Sequence, residues 1–366
     1  MKRWSRFLLS GILAITSLAT FSIEGAQAGY SFTSHTFTPC GATGVSGPTQ
    51  VQCTTAYSTT WDDNVSNFTV SAGIQLWVVP ASGMYRITAI GAGGVSPGGK
   101  GASMRGEFLL TMGDTIKILV GQSGTSGYGG GGGGGSFVAT NTNTALVVGG
   151  GGGGRNYNSV SAGTDASIIA NPGTSTGQAT APDSTGGCGM NGGGGAGFTT
   201  NGSNGATAFI NGGSGGNTQT GNCVTNAPGG FGGGGGGGNG GGGGGGYYGG
   251  TAGTNTSYTG GGGGGSYNNG SNQVNALANN VGSNGSVTIE ALGPSITKFA
   301  PRNIITNSAS LIYDLTFSET VTGLASSDFS TSGTGSSTCS IGAPGGIGTT
   351  YTVTLSGCSE GSVILT

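Results

Sequence analysis

The sequence predicts an all-β fold, and three observations carry that prediction. Several short runs alternate apolar and polar residues with a period of two. No segment after the N-terminal leader repeats with a helical period. Six runs of consecutive glycine interrupt the strand framework without ending it.

Residues 74–79 form the first clear strand, closed by Pro80 and a turn over 80–83. Residues 84–90 resume it, with Tyr85, Ile87 and Ala89 on one face and Met84, Arg86 and Thr88 on the other. Ile116, Ile118 and Val120 oppose Thr115, Lys117 and Leu119 in the same way, so this strand also reads as half buried. A strand at 146–148 and a last one, in which Val287, Ile289 and Ala291 alternate with Ser286, Thr288 and Glu290, complete the framework.

The glycine runs occupy 129–135, 149–154, 192–195, 232–238, 240–246 and 260–265. Gly-rich chains ordinarily behave as flexible coils. Here strands resume on the far side of each run, and Tyr128, Phe137, Phe198, Phe231, Tyr247, Tyr248 and Tyr267 punctuate them, which points to one repeated element. Polyglycine in a three-residue-per-turn helix rises about 3.1 Å per residue and has no internal hydrogen bonds, so a single run stays disordered while several packed together can bond to one another. The opposing cost is glycine's conformational entropy, about 0.5–1 kcal/mol per residue beyond other residues.

Composition narrows the function. The chain has 88 glycines, only 6% charged residues and a formal net charge of −2. Residues 184–289 contain no Asp, Glu, Lys, Arg or His. Phosphate recognition needs clustered Lys and Arg, so nucleic acid is not an expected partner. General acid–base chemistry needs positioned titratable groups, and the chain has one histidine, His35. The expectation is a protein that is not an enzyme and needs no cofactor or metal.

Lys2, Arg3 and Arg6, the apolar stretch 7–23 and the small-x-small box Ala26-Gln27-Ala28 predict a signal peptide over 1–28, cleaved after Ala28. A membrane helix is the competing reading. The apolar stretch is broken by Ser10, Gly11, Thr16, Ser17 and Thr20 and followed by Glu24, and no later stretch reaches the roughly 18–20 apolar residues of a span. A secreted or cell-surface location follows. In that setting six cysteines read as disulfides. Fifteen connectivities are possible; the sequential one, Cys40 with Cys53, Cys188 with Cys223 and Cys339 with Cys358, is favoured because each pair sits inside one compositional segment. No C-x-x-C or His partner supports zinc.

Residues 293–366 change character. Glycine thins, Pro294 and Pro301 mark a junction, and β-type runs occur at 310–317 and 350–355. The expected organisation is a glycine-rich domain over 29–292 and a second β domain over 293–366 whose last residues, 362–366, read as mid-strand, as in a fragment of a longer product.

The stretch from Cys40 to Cys53, CGATGVSGPTQVQC, resembles the opening motif of the glycine-rich extracellular domain of the anaplastic lymphoma kinase and leukocyte tyrosine kinase receptor family. GIQLWVVP at 73–80, YRITAIGAGG at 85–94, ILVGQSG at 118–124, and GGF at 229–231 followed by two glycine runs and YYGG at 247–250 look like that family in the same order. The likeness covers about residues 31–292. It implies a tumour-necrosis-factor-like β sandwich whose loops carry a polyglycine II helix bundle, and the first two disulfides. Such receptors bind basic cytokines through acidic residues near the later cysteines. No acidic residue lies between Asp183 and Glu290 here, so that recognition is not carried over, and neither is a kinase label, since no kinase motif is present. LTFSETVTGL at 315–324 with Ser327-Asp328-Phe329, and YTVT at 351–354, are similar to bacterial immunoglobulin-like surface repeats, which implies an incomplete immunoglobulin-like sandwich serving as a stalk on a bacterial surface or secreted protein.

Several motifs fail on context. Residues 94–100 approach a phosphate-binding loop, but Gly101 replaces the magnesium-binding Ser or Thr and no helix follows. Gly212-Gly213-Ser214-Gly215-Gly216 lacks the strand, helix and partners of a hydrolase elbow. Asp62-Asp63 and Asp328 lack calcium-loop spacing and read as turn residues. The candidate binding surface is Tyr247, Tyr248, Tyr258 and Tyr267 beside Asn-rich turns, facing an extracellular protein or glycan ligand; the competing role for these rings is to cap and pack polyglycine edges.

Overall fold

The computed structural model describes residues 30–159, 161–169, 191–217, 227–255, 257–294, 296–303, 310–317 and 320–366. The predicted signal segment, the expected Cys188–Cys223 bridge and Ser318-Glu319 of the repeat-like motif lie outside them.

The alternating runs become two antiparallel sheets. The strands are β1 (Ser34–Phe37), β2 (Phe68–Ser71), β3 (Ile74–Val78), β4 (Gly83–Ile90), β5 (Ala102–Leu110), β6 (Thr115–Leu119), β7 (Ser136–Thr140), β8 (Ala145–Gly149), β9 (Tyr267–Asn268), β10 (Ser271–Leu277) and β11 (Ser286–Leu292). One sheet has the order β1-β11-β4-β5-β10 and the other β2-β3-β6-β7-β8-β9. Their inner faces form one core, with Tyr85, Ile87, Ala89, Val287 and Ile289 from the first sheet and Trp77, Ile116, Ile118, Val138 and Val147 from the second. The alternation read from the sequence is therefore the alternation observed, and the fold is an all-β sandwich carrying a polyglycine insertion.

Leu119 departs from that reading. It lies on the face opposite Ile118, yet it is fully buried with Phe137 and Val148 under Phe198, Phe209 and Phe231. The outer face of the second sheet is covered by the glycine-rich loops, which period two alone does not reveal.

One correction concerns helix. The sequence reading expects none after the leader, but Gln50–Ala56 forms α1. The Thr49 side chain accepts from the Gln52 N–H at 3.3 Å and the Gln52 carboxamide accepts from the Thr49 N–H at 2.8 Å, a reciprocal capping box. Two turns are too short for a visible helical period; the signal was Thr49-x-x-Gln52. Cys53 of α1 is bridged to Cys40, as expected.

The glycine runs form a hydrogen-bonded bundle. The run 240–246 lies at its centre, and its amides donate in strict rotation. Gly241 and Gly244 donate to Thr259 and Gly262, Gly242 and Gly245 to Gly130 and Gly133, and Gly243 and Gly246 to Gly193 and Ala196. Three further segments donate to its carbonyls, Gly151 and Gly154 to Gly245 and Gly242, Gly250 and Gly253 to Gly244 and Gly241, and Gly235 and Gly238 to Gly243 and Gly240. These bonds span 2.7–3.2 Å. A three-residue rotation to three donor partners and three acceptor partners is the pattern of a three-fold polyglycine II helix with six neighbours. The bundle excludes side chains, since a Cβ at Gly244 would collide with the Gly151 carbonyl.

Residues beyond the sandwich build a separate set of strands, β12 (Ile296–Pro301), β13 (Ser310–Phe317), β14 (Thr331–Ser332), β15 (Ser340–Ile341), β16 (Gly345–Ile347), β17 (Thr350–Ser356) and β18 (Ile364–Leu365). They pair as β12-β13-β17-β15 with β16 on β17, and as a β14-β18 ribbon. Tyr313, Val353, Leu355 and Leu365 form their core, and Cys339 is bridged to Cys358.

His35 on β1 is ringed edge-to-face by Phe37, Tyr57 and Trp61 at centroid distances of 4.7, 4.4 and 4.9 Å, and its Nε2 is buried without a partner. Burial lowers its pKa, with the nearby Asp62 carboxylate pulling the other way.

Two outcomes are expected. Gly244→Ala should destabilise the protein by roughly 3 kcal/mol in denaturant unfolding, whereas Gly293→Ala, with nothing within 4 Å of the added methyl, should stay within about 0.5 kcal/mol of wild type; equal effects would contradict a closed bundle. For His35, the unfolded chain takes up its proton more readily than the native one, so stability should fall as pH drops through about 6.5, and His35→Asn should flatten that part of the stability–pH curve.

Candidate functional site

Strand polarity fixes which end of the bundle is which. The run 129–135 leads into β7 and 260–265 leads into β9, so Gly135 and Gly265 are proximal to the sheet and Gly129 and Gly260 distal. The run 149–154 leaves β8, which puts Arg155 at the distal end. The central run is parallel to 130–133 and 259–262 by its hydrogen-bond pairs, so Asn239 is distal and Tyr247 proximal. A run of this length separates the two ends by about 20 Å.

That separation divides the sequence-predicted surface. Tyr247, Tyr248 and Tyr267 sit together at the proximal end. Tyr247 stacks on Tyr267 at 4.5 Å and meets Tyr248 edge-on at 5.3 Å and Phe198 at 5.8 Å. Tyr247 and Tyr267 pack against the cluster that covers the second sheet, and the Tyr248 ring lies over Gly265. All three are partly buried, and burial raises the pKa of Tyr247 and of Tyr248. Their geometry suits capping and packing.

Tyr258 belongs to the other end. It is 50% exposed and adopts φ +46°, a left-handed conformation that costs a bulky residue about 1–2 kcal/mol. Asn156, fully buried, holds it there: its Nδ2 donates to the Tyr258 carbonyl at 2.6 Å and its Oδ1 accepts from the Ser161 N–H at 2.8 Å. Tyr128 and Tyr157, which the sequence reading did not include, stack on each other at 5.0 Å at the same end, Tyr128 being 40% exposed. The Tyr157 N–H donates to the Asn239 carbonyl, and Asn239 Nδ2 donates to Asn255 Oδ1 at 2.9 Å. Arg155 donates to the carbonyls of Tyr128, Asn156 and Gly127 and to Ser126 Oγ at 3.0–3.3 Å, so its guanidinium ties the tip together. The available signal was positional: Tyr128 and Tyr258 each stand just before a glycine run and Tyr157 just after one.

The other sequence motifs lie in turns and at the bundle edge. Residues 94–99 close on themselves through the Gly94 N–H and Gly99 carbonyl at 2.9 Å, and β5 follows in place of a helix. Ser214 donates its N–H to Thr207 Oγ1 at the bundle edge. Asp62 is fully buried and accepts from the Thr59 hydroxyl, Asp63 is exposed, and Asp328 accepts from the Ala325 N–H. Among the described residues no three His, Cys, Asp or Glu side chains gather as a metal site, and no helix is long and apolar enough to cross a membrane.

An open groove of about 480 Å³ lies between the first disulfide loop and the β2–β3 hairpin, with Pro48, Val70, Ala72 and Phe231 among its lining. Gly47 and Gly73 abut each other beside the Phe231 ring, where a Cβ on either would strike both the ring and the other glycine.

No family model matches the chain. Among known proteins it is similar to the leukocyte tyrosine kinase receptor of Mus musculus, 42% identical over 103 residues. The match takes in 24% of this chain and 11% of the receptor, so the chain shares a limited stretch with that receptor and spans a small part of its length.

Proposed function

We propose that the chain is a non-catalytic secreted or cell-surface protein that recognises an extracellular partner through a rigid glycine-rich head, residues 29–292, carried on an immunoglobulin-like stalk, residues 293–366. The observation that carries this reading is the bundle itself. Its central amides are consumed by neighbouring runs, so the loops of the sandwich form a fixed projection with aromatic side chains at its tip. Disulfides at Cys40–Cys53 and Cys339–Cys358 and the stretch of likeness to a receptor suit an extracellular setting. The receptor's name brings no kinase activity to this chain.

A second reading, a structural spacer of an envelope or matrix with no specific ligand, is favoured by the proximal tyrosines, whose rings serve packing.

Attachment separates the two. Purified protein labelled at its C-terminus should bind intact cells or extracellular matrix saturably, and Gly244→Ala should reduce that binding at least tenfold by disordering the head. A folded protein with no saturable attachment would leave the spacer.

A further inference from the structure

We infer that the distal tip of the bundle is a binding platform for uncharged oligosaccharide, built from the stacked pair Tyr128 and Tyr157 together with Tyr258. This deepens the recognition reading above and rests on it.

Three chain segments that leave or enter different glycine runs each place a tyrosine at the same pole, one residue before the run 129–135, three after 149–154 and two before 260–265. Packing does not require this: the apolar clusters of the head lie in the sandwich and over the second sheet, and none of the three rings belongs to them. Tyr258 is instead displayed at an energetic cost, in a left-handed conformation secured by a buried asparagine committed to that turn. Strain maintained by dedicated contacts around an exposed side chain marks a site where position matters more than stability.

The surroundings select the ligand chemistry. The segments 126–129, 155–159, 239–240, 254–255 and 257–259 contain no Asp, Glu, Lys or His, and their single cation, Arg155, spends its donors on carbonyls and Ser126. Among the described residues of these segments there is therefore no free charge with which to hold a phosphate, a sulfate or a cation. The tip has the exposed rings of Tyr128 and Tyr258 on a preorganised frame, with the hydroxyls of Ser126 and of the tyrosines themselves beside them. Flat ring faces covering the C–H face of a pyranose, with neutral donors and acceptors at the rim for its hydroxyls, match this combination, and a rigid platform loses little entropy on binding.

The experiment presents the oxidised protein to an array of neutral hexose and N-acetylhexosamine oligomers alongside sialylated and sulfated ones, with Tyr258→Ser and Tyr128→Ser beside wild type. Wild type is expected to bind neutral members without preference for anionic ones. Each variant is expected to lose at least tenfold in affinity while its thermal unfolding midpoint stays at the wild-type value. Binding only to anionic glycans, binding to none, or unchanged binding by both folded variants would overturn the assignment. Cell attachment that survives periodate oxidation of surface sugars would remove the sugar ligand and leave the head as a recognition module; absence of any attachment would remove both. Should Tyr128→Ser unfold, Tyr128→Phe, which keeps the ring face, is expected to retain binding, and a loss there would count against stacking.

Discussion

The structure depends on satisfying the peptide groups of buried glycine. A chain with 88 glycines has little side-chain surface to bury, so the usual hydrophobic compensation for backbone entropy is weak where the glycines concentrate. Each buried N–H and C=O needs a partner. One extended run cannot provide partners for itself, and two leave most groups unpaired. The arrangement around 240–246 resolves this by giving every successive amide a different neighbouring run. The fourth residue returns to the first neighbour, and the absence of Cβ atoms allows the approach.

This requirement shapes the sandwich that carries the bundle. Runs 129–135, 149–154 and 260–265 are continuous with β7, β8 and β9, so strand register sets the register of the glycine helices. Covering the outer face of the second sheet follows from the same arrangement: Phe198 and Phe231 flank glycine runs, Phe209 begins the short turn Phe209–Asn211, and the three close over Leu119, Phe137 and Val148. Where the bundle meets polar surroundings, side chains finish it. Ser203 Oγ accepts from the Gly194 N–H, Thr164 Oγ1 from Gly263 and Ser266 Oγ from Gly150.

The first disulfide loop joins the two parts. The Gly44 carbonyl accepts from the Phe231 N–H, the Val45 carbonyl from Gly215 and the Ser46 carbonyl from Gln122 Nε2, so one loop contacts three bundle segments. At its other end Tyr57, whose hydroxyl burial pushes up to about 12, donates to Gln75 Oε1 at 2.6 Å, and Gln75 Nε2 donates to the Thr38 carbonyl. The loop is thereby fixed to the sandwich core and to the bundle edge at once.

Period-two alternation was sufficient to place Tyr85, Ile87, Ala89, Ile116 and Ile118 in the core, because a strand with one buried face writes that face into its sequence. Glycine runs resuming into strands were sufficient to indicate an ordered polyglycine element. Composition also limited what the glycine-rich stretch 184–289 can present, since it has no Asp, Glu, Lys, Arg or His and a side chain that is absent cannot be supplied by folding. Other features belonged to the tertiary structure. Leu119 is buried by distant loops, α1 is too short for its period to show, and Tyr258 lies about 20 Å from Tyr247 although the two are close in sequence. A polyglycine run carries no side-chain pattern, so its neighbours and direction are set only when hydrogen bonds form between runs, and the end of the bundle on which each tyrosine stands is decided there.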